Sequence, residues 1–291
     1  MTTKKWLKKY APDLSGKRIA VSGSTGGLGR ALLYHFATLG ASIIMLDRNE
    51  ERASALAKEL KKDFPTLKTE YIPLDLEDIG SVKRAADILS DTPPDYLILN
   101  AGAYHIPLKQ CALGYNNVFQ INFASPYYLA CRLEEKIASR GGRIIAVGSI
   151  AHGYSKADPR DIDFSTRKKS SLIYGNAKRY LMYSLASLGS GTVEIAHPGI
   201  TFTNITAHYP KLIFAIIKHP MKVIFMKTKR ASLSVISAMA DVHVQDSWTG
   251  PSLFGIWGSP KRVKLKSIAL TEREHILSTA RKVIEKTENY K

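Results

Sequence analysis

Apolar residues run along this chain in short, nearly unbroken blocks: "KRIAVSG" from Lys17, "ASIIMLD" from Ala41, "KTEYIPLDL" from Lys68, "DYLILNAG" from Asp95, "GRIIAVGS" from Gly142 and "TVEIAHPG" from Thr192. Blocks that are apolar throughout, without in-and-out alternation, predict strands buried on both faces. Between them lie stretches with helical spacing, such as "GRALLYHFATLG" and "NEERASALAKELKKDF", then "EDIGSVKRAADILS", a long helical region from about 115 to 139 and another from about 171 to 188. Strands alternating with helices in this way specify an α/β fold, a doubly wound parallel sheet covered by helices on both sides.

After about residue 200 the rhythm changes. A lysine-rich helical insertion is expected at about 205–228, then a helix from about Arg230, a last strand "SLFGIW" and a closing helix "TEREHILSTARKVIEKTE". No repeat, low-complexity linker or shift in composition divides the chain, so residues 1–291 read as one domain, with a basic arm at 1–16 and a variable helical lid at 204–230.

Charge adds partners to the picture. The formal net charge is +17, concentrated in "KKWLKK" near the start and in the segment from Pro210 to Arg230, which mixes lysines with aliphatic and aromatic residues and holds no acid. Such a segment is either a solvated face over a buried one or a surface that rests on anionic lipid. No recognition helix, zinc finger or aromatic ribonucleoprotein motif accompanies the charge, so no nucleic acid is expected. Cys111 and Cys131 lack metal-ligand spacing, so neither a disulfide framework nor a metal site is expected. With no signal peptide or membrane span in the sequence, the expected location is cytoplasmic, with peripheral membrane contact through the basic and apolar lid left open.

The candidate chemistry begins at "VSGSTGGLGR", where Gly23, Gly26, Gly27 and Gly29 fall between a strand and a helix. A helix interior disfavours glycine by roughly 1 kcal/mol each, so the cluster needs a reason. In a strand-to-helix turn glycines allow a tight bend and let backbone amides approach a pyrophosphate, the signature of a dinucleotide-binding Rossmann fold.

Farther along, single residues recur at the ends of the expected strands and on the helices between them. They are Asp47 in "LDR", Asp75 and Leu76 in "LDL", Asn100, Ala101 and Gly102 in "LNAG", Asn122 in "QIN" and Ser149 in "VGS". Tyr174 and Lys178 in "YGNAK" and Pro198, Gly199, Ile200 and Thr203 in "HPGITFT" complete the series. These motifs and their order, over roughly residues 15–205, resemble the short-chain dehydrogenase/reductase family. The interval from Ser149 to Tyr174 is longer than in many members and is similar to the retinol-dehydrogenase-like branch and its bacterial relatives.

From the residues themselves, hydride transfer needs a positioned acid/base for the substrate oxygen, and Tyr174 is the candidate. Lys178, four residues on and on the same helix face, can supply the cation that favours phenolate. Ser149, at the carboxyl end of a strand, can donate to the substrate oxygen or merely cap the segment that follows. The resemblance implies that Lys178 also holds the nicotinamide ribose and that Asn122 ties a water into a proton relay. It further places Ser22, Gly23, Gly27, Leu28 and Gly29 around the phosphates, Asp47 at the ribose and Asp75 in an adenine pocket. Ala177 stands where the family usually has serine, and Ser22 where it has threonine. His105, His152 and His197 are not needed for catalysis.

A carboxylate at Asp47 would accept both ribose hydroxyls of NAD and repel the phosphate of NADP, which favours NAD, whereas Arg48 beside it could clamp that phosphate. The expected function is therefore interconversion of an alcohol and a carbonyl with NAD or NADP, on a small lipophilic substrate suited to the apolar lid. The alternatives are a catalytically silent dinucleotide sensor and a membrane-peripheral binding protein. A homodimer or homotetramer is implied by the resemblance alone.

Overall fold

The computed structural model describes residues 1–188, 191–200 and 226–290. The six apolar blocks become β1 (Arg18–Ser22), β2 (Ser42–Asp47), β3 (Thr69–Pro73), β4 (Tyr96–Leu99), β5 (Arg143–Val147) and β6 (Val193–Ala196). With β7 (Ser247–Leu253) and β8 (Trp257–Lys264) they form one eight-stranded sheet in the order β3-β2-β1-β4-β5-β6-β7-β8. All neighbours pair in parallel except β7 and β8, which form an antiparallel hairpin at the edge.

Helices cover both faces, making three layers. On one side α1 (Thr3–Tyr10), α2 (Gly27–Thr38), α3 (Glu50–Asp63) and α8 (Leu233–Ala240) share a core with alternate residues of β1 and β2, including Ile19, Val21, Ile43 and Met45. On the other, α4 (Ile79–Asp91), α5 (Ser125–Ala138), α6 (Ser170–Leu185) and α9 (Leu270–Glu288) pack on Ala20, Ile44, Leu97 and Leu99. Adjacent residues of one strand thus enter opposite cores, and for that reason the strands read as unbroken apolar blocks. A short segment α7 (Thr228–Ala231) precedes α8, so the helix expected from Arg230 begins slightly earlier and is broken at Ser232.

Several expectations change. The stretch "SLFGIW" is not a strand, because the chain reverses inside it: Phe254 and Gly255 take φ of 53° and 67°, and β8 starts at Trp257. Gly250 and Pro251 disguise β7 as a turn, yet only one residue pair, Ala196 with Thr249, joins β7 to β6, so the proline costs little there. The basic arm contains a helix, α1, capped by the Thr2 hydroxyl and buried through Trp6 and Leu7; two apolar positions are too few to show a period. The long helical region begins at Asn117–Phe119, widens into a π-helical stretch at Gln120–Ala124 and continues as α5. The expected insertion as far as residue 225, most of the lid and Thr203 lie outside the described residues.

One long-range tie holds the C-terminal helix to the centre. Glu272 in the first turn of α9 receives two hydrogen bonds from Arg179 of α6, Nε at 2.7 Å and Nη2 at 2.9 Å. The pair is largely buried, at 8% and 10% side-chain exposure. Glu272 also accepts from the Ala157 amide, and Arg179 donates to the His152 carbonyl at 2.9 Å. Removing one partner of such a pair leaves a buried charge uncompensated. Glu272→Ala should therefore destabilise the protein by about 3–5 kcal/mol, against under about 1 kcal/mol for Asp87→Ala, which breaks the exposed pair with Arg132; urea unfolding of both variants checks this.

Candidate active site

β1 lies between β2 and β4, so the connections on its two sides depart in opposite directions and leave a crevice at the carboxyl ends of the strands. The glycine turn closes one wall of it. Gly23 has φ of 63°, and a Cβ on it would lie 3.0 Å from the Ala101 Cα. A Cβ on Gly29 would lie 2.3 Å from the Gly23 carbonyl, so α2 can pack this closely on the turn only with glycine there. The N-termini of α3 and α4 are capped by the side chains of Asn49 and Asp78, whereas Gly26 offers α2 no side-chain cap. The first turn of α2 is thus left to an external acceptor, which suits an anionic phosphate.

Ser22 is buried and serves the seam between strands rather than the cleft. Its hydroxyl accepts from the Asn100 and Ala101 amides at 3.0 Å each, while the Asn100 side chain returns bonds to the Ser22 and Gly23 carbonyls at 2.8 and 3.1 Å.

At the tip of β2, Asp47 is 6% exposed and its carboxylate is already engaged. One oxygen accepts from the Ser24 amide at 3.0 Å and from the Ser24 hydroxyl, the other from the Thr25 hydroxyl at 2.9 Å and the Thr25 amide at 3.3 Å. The expected acceptor of ribose hydroxyls is, in this structure, an anchor of the glycine turn. Beside it Arg48 and Arg52 are exposed and line the same cleft.

The catalytic candidates converge. Lys178 lies one turn beyond Tyr174 on α6, its Nζ 5.8 Å from the centre of the phenol ring and 2.8 Å from the Val147 carbonyl. Ser149, just beyond β5, accepts from the Ala151 amide at 3.2 Å, so it caps the following turn, and it lines the same cleft as Tyr174. Gly175 lets α6 meet that turn, since a Cβ there would lie 2.4 Å from the Ala151 carbonyl. Asn122 sits in the π-helical stretch, fully buried, with its amide bonded to the Ala103 backbone on both sides and to the Val118 carbonyl. A Cβ on Gly102 would meet the Asn122 Oδ1 at 2.8 Å and Lys178 Nζ at 3.9 Å.

Burial sets the resting charges. It pushes the Tyr174 phenol up to about 12 against the lowering influence of the nearby Ser149 hydroxyl, and draws the Lys178 ammonium down to about 7. Both groups therefore rest closer to neutrality than they would in water. His197, beside the Pro198–Gly199 turn, is held down to about 4 by burial, and His152 is lowered for the same reason, which agrees with packing roles for both.

These groups share one cleft of about 630 Å³. Gly23, Gly27, Leu28 and Gly29 line it from the turn, Asp47 and Arg48 from β2, and Asp75 and Leu76 from the segment after β3. Asn100, Ala101 and Gly102 contribute from the end of β4, Ser149 from β5, Tyr174 and Lys178 from α6, and Pro198, Gly199 and Ile200 from beyond β6. Ser22 and Asn122 stand behind its wall. Sequence reasoning missed Ser24 and Thr25 as partners of Asp47, though their hydroxyls are adjacent in the glycine motif. It also missed Tyr104, edge-on to Tyr174 with ring centres 5.5 Å apart, and Tyr154, neither of which carries a local signal. Among the described residues no group of His, Cys, Asp and Glu could hold a metal ion, and no helix is long and apolar enough to cross a membrane.

Comparison with known proteins agrees with this geometry. A family model described as short chain dehydrogenase matches residues 17–158. Over 240 residues, 75% of this chain and 70% of the relative, it is 29% identical to an uncharacterized oxidoreductase of Schizosaccharomyces pombe. It is 30% identical over 205 residues to human retinol dehydrogenase 13, covering 67% of this chain and 62% of that protein. Among solved structures, an uncharacterized protein of Mycobacterium paratuberculosis superposes with a TM-score of 0.73 at 22% identity, covering 99% of this chain and 97% of that one. L-Sorbose reductase of Gluconobacter frateurii, solved with NADPH and L-sorbose, superposes with a TM-score of 0.59 at 19% identity over 79% of this chain and 92% of its own. The matched motifs, the strand order and the cleft that gathers Ser149, Tyr174 and Lys178 agree: the chain belongs to the short-chain dehydrogenase/reductase family, and its relatives include retinol dehydrogenases.

Proposed function

We propose that the protein is an oxidoreductase that interconverts a carbonyl and an alcohol on a small lipophilic substrate, with a nicotinamide dinucleotide as hydride carrier. The observation that carries this reading is the convergence of Ser149, Tyr174 and Lys178, the last one helical turn beyond the tyrosine, in the cleft that starts at the uncapped end of α2. The bound cofactor would supply or accept the hydride. Its phosphates would meet the glycine turn, and its nicotinamide end would lie toward Lys178 and the Pro198–Gly199 turn.

The chain's own residues handle the proton. In reduction, the Tyr174 hydroxyl donates its proton to the substrate oxygen as negative charge develops there, while Ser149 donates a second hydrogen bond. A phenol held near 12 is fully protonated at neutral pH, which suits carbonyl reduction. In the reverse direction a phenolate must accept that proton, and a protonated Lys178 nearby lowers its cost. Asn122 positions the backbone at Ala103 and Gly102 next to Lys178. Tyr104, Ile150 and Tyr154 give the substrate end of the cleft apolar walls, which supports a lipophilic substrate.

For the cofactor we favour NADP over the NAD expected from Asp47. A carboxylate whose two oxygens already accept four hydrogen bonds is poorly placed to take two ribose hydroxyls, while Arg48 and Arg52 offer guanidinium forks beside it. A cytoplasmic location with peripheral membrane contact, and self-association into a homodimer or homotetramer, complete the reading.

Three measurements test it. Tyr174→Phe should lower kcat by roughly 10²–10⁴-fold while NADPH binding by calorimetry is retained; an active variant sinks the mechanism. Arg48→Ala should weaken NADPH by about tenfold or more, a charge-assisted hydrogen bond being worth roughly 1.5–3 kcal/mol, and leave NADH binding unchanged. The third concerns pH. Lys178 titrates at about 7 in the folded protein and at the ordinary lysine value of 10.5 once unfolded, so across that window the unfolded chain holds a proton that the folded one has released. Stability of the cofactor-free protein should therefore rise with pH between those values, and the rise should be smaller in Lys178→Met; thermal midpoints measured across the window would show it.

A further inference from the structure

The β7–β8 hairpin carries an exposed apolar tip that packing does not explain. Phe254 is 81% exposed and Leu253 52% exposed. Phe254 also has φ of 53°, a left-handed conformation that a bulky side chain rarely adopts. A phenyl ring held in water on an unfavourable backbone is disfavoured twice, and such outliers point to function.

The tip stands at the mouth of the cleft. A Cβ on Gly199 would lie 2.7 Å from the Ile256 carbonyl, and one on Gly255 would lie 3.1 Å from Ile150, the residue after Ser149. Tyr154, which lines the cleft, is itself 54% exposed. A cation stands close by: exposed Lys227 follows Met226, whose amide bonds the Ile200 carbonyl at 2.9 Å. The whole chain carries a net charge of +17.

We propose that this rim, centred on Phe254 with Leu253 and Tyr154, docks the protein on an anionic lipid surface. The idea rests on the lipophilic substrate of the proposed function, because a cleft mouth pressed to a bilayer receives such a substrate without its passage through water. Protruding aromatic and aliphatic side chains suit the headgroup boundary, where the apolar parts bury and the tyrosine hydroxyl stays wet. Lys227, next to the segment bonded to Ile200, and the positive chain supply attraction to anionic headgroups.

The test uses the full chain and vesicles of phosphatidylcholine, with or without about 30 mol% phosphatidylglycerol, read by co-sedimentation. Wild type should bind the anionic vesicles, and less so as salt rises. Phe254→Asn should weaken that binding at least about tenfold, the scale expected for losing one buried aromatic side chain. Asparagine tolerates the left-handed backbone, so the thermal midpoint of this variant should be equal or higher. NADPH affinity should not change. Leu253→Ser provides a second variant with the same expected direction.

Wild type that ignores anionic vesicles, or Phe254→Asn that binds them as wild type does, overturns the proposal. Loss of self-association in lipid-free buffer, with vesicle binding unaltered, would also overturn it and assign the tip to contact between copies. The functional reading fails separately, through NADPH binding without turnover of any lipophilic carbonyl or alcohol, and the vesicle result stands apart from that outcome.

Discussion

The site depends on the seam at the carboxyl end of β1, where three strand tips must be held in contact while leaving a cleft open beside them. Asp47 ties the tip of β2 to the glycine turn, and Asn100 ties the tip of β4 to the same turn through Ser22 and Gly23. Between them the turn has little freedom. The carboxylate and carboxamide satisfy the seam's own polar groups, and α2 then begins with no side-chain cap. A polar need left open in an otherwise well-bonded region marks where a ligand belongs.

A second constraint sits on the opposite wall. α6 carries Tyr174 and Lys178 and must lie against the turn that follows Ser149. Glycine at 175 permits the approach, and Arg179 grips the far end of the turn at the His152 carbonyl. Glu272 neutralises that arginine from the C-terminal helix. Neighbouring residues on α6 thus hold two cations in different states: Arg179 paired with a carboxylate, and Lys178 beside a carbonyl with burial lowering its proton affinity. That difference leaves Lys178 responsive to charge arriving in the cleft, whereas Arg179 serves the frame.

The exposed hairpin tip belongs to the same geometry. β7 runs parallel to β6, so its far end falls on the edge of the sheet where the cleft opens, and the reversal at Phe254 and Gly255 projects from that edge. Ordinary strand pairing therefore brings an apolar protrusion beside the turn that follows Ser149.

Much of this was legible in sequence. Unbroken apolar blocks determined the strands because each residue enters one of two cores, and the glycine spacing, Tyr174 with Lys178, and Ser149 after β5 are local patterns that physics links to local geometry. The helix in the arm and the β7–β8 reversal were not legible, since α1 shows only Trp6 and Leu7 and the hairpin hides behind Gly250 and Pro251. Only the tertiary structure shows what Asp47 bonds to, because its partners Ser24 and Thr25 lie more than twenty residues away. The Arg179–Glu272 pair, the shifts of Tyr174 and Lys178 and the exposure of Phe254 are likewise tertiary. Each depends on which distant segments remove water from a side chain, and no spacing along the chain encodes that.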